Sequence, residues 1–571
     1  MLARQRPLAN DRADIVPTLS MAGDATTIPI GGAAPAGTRR GPGGWISRGR
    51  PGAVAEAREG VLVGALALAS ILALSLFLVL MAANRPSILS PTTHTGYFPR
   101  WMAGPLGGLL PGFTNNGTEL KLLFTGAVVL MYVGYVIAFK QAQRLPARWV
   151  IAAIVGVHVI YFLSPPLALT DLFNYVNYGR MEVVHNLNPY TSIPILEPHN
   201  DPSYLLSNWH ELLSPYGPLF TLLTFIVVPL GVAGSFWALK GLLMVTSLGL
   251  IYLVWKCARL LGRDPLGAIA FVGLNPVVLV WGLGGDHNDF LMMFFIVLAF
   301  YLLLLGSVRS GAGAAHHTGS FDLPGTVSRL RRVSSAQVRA WLLPLAMPEL
   351  GAGAALVTAV AIKASAAILV PVVLAGLMRR SRALVQLLLG MVVASIVVGA
   401  ASLLAFGFHI PDLSTQGSVV TSESVPNLLG LAIGLGGEST GLREVFSGVL
   451  IAFVLSCCWV AWRGRRTPGA PGATADVEDG GISRSIVASG WSSVALLVTL
   501  SWVLPWYVLW VLPLAALSRS RRLRTVALVL GVYLIVAWAP ASGLLWKALD
   551  FYPEKTPLGR LHQRAVKELL D

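Results

Sequence analysis

The stretch GVLVGALALASILALSLFLVLM, Gly60–Met81, decides the fold class. It runs for 22 residues without a charge, and at about 1.5 Å of helical rise per residue it covers roughly 33 Å, enough to cross a hydrocarbon layer about 30 Å thick. A segment in lipid must satisfy its own backbone hydrogen bonds, so the run is a helix. Comparable runs recur at Leu120–Phe139, Phe236–Trp255 and Leu384–Phe406. The whole chain, 571 residues with 55% hydrophobic and 12% charged residues and a mean hydropathy of +0.68, is excluded from the ordinary soluble globules. The expected fold is all-α, a polytopic transmembrane helical bundle of roughly 13 spans.

The formal net charge of +15 does not point to nucleic acid. Lys and Arg sit in short clusters at the ends of apolar runs, at Lys140–Arg148, Lys256–Arg263, Arg309–Arg339, Arg379–Arg382, Arg463–Arg466 and Arg519–Arg524. Such clusters mark the inner face. Residues 1–59, rich in Pro, Gly, Ala and Arg, read as a disordered cytoplasmic tail before a retained first helix. The transmembrane body then covers 60–541, and 542–571 form a short outer tail. The inserts 307–339 and 463–485 read as flexible inner loops, with His316 and His317 as solvated residues. Cys257, Cys457 and Cys458 have no metal or disulfide spacing and carry no function.

The opposite face receives 84–119, a first large loop 164–215, the turn Gly284–Asp289, a second loop 407–444, the turn Trp502–Trp506 and the C-terminal tail. Parity then limits the crossings. With 164–215 outside and Lys256 inside, only an odd number is allowed, so Pro218–Leu230 is assigned to a re-entrant or interfacial helix. The 39 residues Ala340–Met378 lie between two inner clusters and must go out and return, turning near Ala361–Ala364, which puts Lys363 near the outer face. No internal repeat links the two halves, which disfavours the repeat-built transporter folds.

The chemically richest segment is Thr170-Asp171-Leu172-Phe173-Asn174-Tyr175-Val176-Asn177-Tyr178-Gly179-Arg180, followed by Asn186-Leu187-Asn188-Pro189-Tyr190. In a helix Asp171, Tyr175 and Tyr178 share a face, with Asn174 beside them. A carboxylate at a membrane mouth suits a base for a sugar hydroxyl. A helix N-cap or dipole partner explains the same acid, and the residues alone leave both open.

The Asp171-x-x-x-Tyr175-x-x-x-Gly179-Arg180 run, Asn188-Pro189-Tyr190 and Tyr216-Gly217-Pro218-Leu219 resemble the first outer loop of GT-C glycosyltransferases. With Asn275-Pro276, Gly284-Gly285-Asp286-His287-Asn288-Asp289, Ile362-Lys363-Ala364 and Pro505-Trp506-Tyr507-Val508-Leu509-Trp510, their order over roughly residues 165–515 resembles the actinobacterial polyprenyl-phosphomannose-dependent α-1,6-mannosyltransferases. The resemblance implies a sugar donor on a polyprenyl phosphate, no nucleotide sugar, no cofactor, a lipid-anchored glycan acceptor, and inversion by direct displacement at the outer face of a bacterial plasma membrane. It implies Asp171 as base, facing an anionic leaving group that needs cationic or donor groups.

Lys363 and His287 are the expected contacts to donor phosphate, since an ammonium in an apolar hairpin should have a partner. Tyr175, Tyr178, Asp286, Asn288, Asp289, Trp506 and Tyr507 are the expected substrate contacts. A divalent cation on the acids is a possibility not favoured; Asp289 also reads as a cap for the next helix. Trp502, Trp506 and Trp510 fit an interfacial belt better than a sugar platform. Arg180 reads as an ion-pair partner that holds the loop, and Glu182, Glu197, His199 and Glu211 as solvated. The competing functions are a lipid-linked-sugar flippase or polar-solute transporter, and the same fold acting on another sugar such as arabinose.

Overall fold

The computed structural model describes residues 51–84, 87, 89–90, 98–110, 116–168, 171–315, 347–411, 419–463 and 481–550. The expected N-terminal tail to residue 50, most of both inner inserts, Thr170 and residues 551–571 lie outside them. Val54 onwards forms one compact unit. Among the described residues the regular structure is helical, apart from an isolated bridge between Ser87 and Ser90.

Seven helices are long and apolar enough to cross a membrane, or eight if Arg521–Trp538 and Ser542–Ala548, bent by 70°, form one span. The chain is therefore an all-α, multi-pass membrane protein. Long helices account for fewer crossings than the roughly 13 expected, because several apolar stretches are shorter helices: Ala147–Phe162, Pro348–Ile362, Ala364–Leu377 and Pro505–Leu517. Three boundaries also differ from the sequence reading, the first being the opening helix, which starts at Pro51 inside the expected 1–59 tail. The helix that starts at Asp289 runs to Ala315, into the expected 307–339 loop, and a helix starts at Gly481, inside the expected 463–485 loop. Gly and Ser lower helix propensity without forbidding a helix that packs.

Three features position the site. The Pro218–Leu260 run is 43 residues long, roughly 65 Å at helical rise and about twice a hydrocarbon thickness. It breaks at a 3₁₀ turn, Val228–Leu230, before Gly231 at φ +71°. Its first part, Pro218–Val227, packs on the helix Asp171–His185. The second feature is the break after Pro348–Ile362, where Lys363 is extended (φ −151°, ψ 121°) before a 3₁₀ segment, Ala364–Leu369. The third is a π-helical segment, Val278–Leu283, leading into the turn before Asp289.

Candidate active site

The helix Asp171–His185 begins at the acid expected to be its functional residue. It is buried along most of its first turns, including Asn174, Tyr175, Asn177 and Tyr178, so it is an inward element of the 164–215 loop. Asp171 itself keeps a small opening, with 11% of its side chain exposed. Its Oδ2 lies 3.2 Å from Nδ1 of His287, and Asn174 Nδ2 makes a long 3.5 Å contact to Oδ1. Asn174 is fixed in turn by a reciprocal amide pair with Asn208: its Nδ2 donates to Asn208 Oδ1 at 3.0 Å, and Asn208 N donates to its Oδ1 at 3.1 Å.

The turn before Asp289 supplies the other charges, and its three side chains take three different partners. Asp286, held at φ +58°, a conformation aspartate tolerates better than most residues, accepts from Lys240 Nζ at 2.9 and 3.0 Å. Both residues are buried. His287 turns to Asp171 and stacks on Trp506, with ring centroids 3.4 Å apart and planes 8° apart. Asp289 accepts from Lys363 Nζ at 2.8 and 2.9 Å and from Trp510 Nε1 at 2.6 Å. Asn288 is fully buried, and its backbone N–H donates to Tyr175 Oη at 3.3 Å.

Pro505–Trp510, a 3₁₀ segment, completes the enclosure. Lys363 Nζ sits 4.9 Å from the Tyr507 ring centroid and 5.5 Å from that of Trp510, and those rings stack at 4.1 Å. The ammonium thus has a carboxylate and two aromatic faces, while 19% of its side chain remains exposed. An ammonium so held is offered to an anion without being left unpaired. Trp506 and Trp510 are buried in this wall, so the interfacial-belt reading does not apply to them; the Trp510 N–H goes to Asp289 and the Trp506 ring face to His287. Trp502 is only partly buried and meets Trp209 edge to face at 6.2 Å.

Other expectations change. Tyr178 lies near Asp171 but donates its hydroxyl to the Leu212 carbonyl at 2.7 Å, so its polar end holds the loop. Asp286 is closed off by Lys240. Glu197 is buried, not solvated: burial pushes its carboxyl up to about 7, although the neighbouring Asn177 and Arg180 act in the opposite direction. Arg180 does hold the loop, through Nε and Nη2 to Asp201 at 3.0 and 2.7 Å. Burial acts upward on Asp201, but Arg180, Ser203 and His185 hold it below the usual carboxylate range. Asn275 caps the segment after it, accepting from the amides of Val277 and Val278.

Lys240 was missed in the sequence. Its signal was present, a cation inside an apolar span, which demands a partner. The pairing of Asn174 with Asn208, 34 residues away, has no comparable signal.

A family model described as alpha-(1->6)-mannopyranosyltransferase, N-terminal domain, matches residues 87–379, which carry Asp171, the Gly284–Asp289 turn and Lys363. The chain belongs to this family. It is 26% identical over 412 residues to alpha-(1->6)-mannopyranosyltransferase A of Mycobacterium tuberculosis, covering 66% of this chain and 67% of that one. A second alpha-(1->6)-mannopyranosyltransferase of that organism is 27% identical over 424 residues, again 66% and 67%. The Corynebacterium glutamicum alpha-(1->6)-mannopyranosyltransferase A is 27% identical over 175 residues, 29% of this chain and 34% of that one. No solved structure matches the chain.

Proposed function

We propose that this chain is a mannosyltransferase that moves a mannosyl residue from a polyprenyl phosphate to a hydroxyl of a lipid-anchored glycan of the α-1,6-mannan type. The reaction takes place at the outer face of the plasma membrane. The observation that carries this reading is a pair of unlike groups gathered around Tyr175 and Tyr507, the partly exposed Asp171 carboxylate beside His287 and the partly exposed Lys363 ammonium held by Asp289. A base and an anion-binding cation are what displacement of a phosphate by an alcohol requires.

In this mechanism Asp171 takes the acceptor proton as the acceptor oxygen bonds to the anomeric carbon. The bond from that carbon to the phosphate oxygen breaks, and the polyprenyl phosphate leaves with the electron pair toward Lys363. One displacement inverts the anomeric centre. Tyr507, with Trp506 behind it, walls the site, and Asn288 lies beside it for a sugar hydroxyl. No nucleotide or cofactor is needed, and transfer is expected to persist in excess EDTA.

A transporter would need charged groups open along a path through the bilayer. The pair Lys240 with Asp286 is buried, with 1% and 3% of the side chains exposed, and offers no such open path, which favours the enzyme. The test is transfer from radiolabelled polyprenyl-phosphomannose in membranes containing wild type or Asp171→Asn at matched expression. Loss in the variant, on the order of 10²- to 10⁴-fold for a general base, supports the reading. Equal transfer by both removes Asp171 from catalysis, and transfer only from a polyprenyl-phosphoarabinose moves the specificity to a pentose.

A further inference from the structure

We infer that His287 is a positioning residue for the base: its Nδ1–H aims the Asp171 carboxylate, and it does not touch the donor phosphate. This rests on the glycosyltransferase reading above and changes the role expected of His287 from its sequence. Three contacts carry it. The Nδ1 edge lies 3.2 Å from Asp171 Oδ2, where an ionised carboxylate can only accept. The imidazole face lies flat on Trp506 at 3.4 Å, which prevents the ring from tilting away. The other nitrogen, Nε2, is buried without a hydrogen-bond partner and packs close to Gly285, where an added Cβ would lie 2.7 Å from it. With only 1% of its side chain exposed, the ring opens no edge toward a bound phosphate.

The consequence for chemistry is a division of labour between the two carboxylate oxygens. Oδ2 is held by His287, and Oδ1, with only the long Asn174 contact, is the oxygen that receives the acceptor proton. The other groups around Asp171 do not compete for this role. Burial pushes the Tyr175 and Tyr178 phenols well up, with the charge of Asp171 adding to the effect, so they stay neutral. The Tyr216 and Tyr507 phenols also lie within the carboxylate's electrostatic reach, and Asp289 is taken by Lys363 and Trp510.

Two near-isosteric variants separate the possibilities, because an asparagine amide imitates Nδ1 whereas a glutamine amide imitates Nε2. In the full-length protein, His287→Asn is expected to keep transfer within about tenfold of wild type. His287→Gln is expected to lose more than about a hundredfold in kcat. The KM for polyprenyl-phosphomannose should stay unchanged in both. Equal loss in the two variants, or a raised donor KM with kcat intact, would overturn the assignment. Melting in detergent establishes that both are folded. Failure of wild type to transfer, or retention of transfer by Asp171→Asn, would instead sink the underlying reading, so the two failures are distinguishable.

Discussion

Lys240 places its ammonium 2.9 and 3.0 Å from the two carboxylate oxygens of Asp286, joining the middle of a membrane-length helix to the turn that carries His287, Asn288 and Asp289. Removing one partner of a buried pair leaves an uncompensated charge, a loss of about 3–5 kcal/mol, whereas replacing both with apolar groups can be nearly neutral. Lys240→Met alone should therefore lower the melting temperature in detergent strongly. The double variant Lys240→Met/Asp286→Leu should recover most of it, and a double variant as unstable as the single one would refute this account.

Gly217 joins the start of Pro218–Val227, which packs on the Asp171–His185 helix, to the break that carries Lys363. Its N–H donates to the Ile362 carbonyl at 3.0 Å, immediately before Lys363, and a Cβ there would lie 2.2 Å from the Ala361 carbonyl oxygen. Backbone must move to admit it. Gly217→Ala should reduce transfer by at least tenfold, roughly 1.4 kcal/mol in the barrier, with membrane insertion unaffected; full activity would show that the contact is slack.

Lys363→Gln keeps a donor but loses the charge. If the leaving phosphate meets this ammonium, transfer should fall about 10²- to 10³-fold, as when one preorganised donor to developing charge is removed. Lys363→Arg should recover little, because a planar guanidinium does not fit where a compact ammonium sits against both Asp289 and the Tyr507 and Trp510 rings. Steady-state kinetics with the polyprenyl donor distinguish these outcomes, and activity equal to wild type in Lys363→Gln would exclude the contact.

Glu197 gives a pH signature in stability. Its carboxyl holds a proton up to about 7 when folded, against an ordinary value of 4.5. The folded state therefore binds more protons in that window, and stability falls as pH rises from about 4.5 to about 7. Glu197→Gln should flatten that part of the melting profile and raise the melting temperature at pH 8. An unchanged slope would mean that other groups set it.

Much of the fold was legible because lipid leaves a single solution for an apolar run, as Gly60–Met81 illustrates. The break at Lys363 was legible too, from two inner charge clusters too close together for two long spans. Asp171 was singled out by an acid at the head of an aromatic stretch. What escaped depends on distance in sequence. Lys240 meets Asp286 across 46 residues, and Trp510 meets Asp289 across 221, so their local patterns, an apolar span and an aromatic turn, suggested lipid contacts instead. Glu197 looked solvated because polar neighbours surround it in sequence, yet the loop folds over it.

The two bonds between Asn174 and Asn208 make the loop that carries Asn208 something other than a freely swinging cover. Asn174 gives one hydrogen bond to the Asn208 side chain and takes one from the Asn208 backbone N–H, so lifting the Asn208 segment breaks both at once and frees the side chain that touches Asp171. Opening of this loop and loosening of the Asp171 carboxylate are thus a single event.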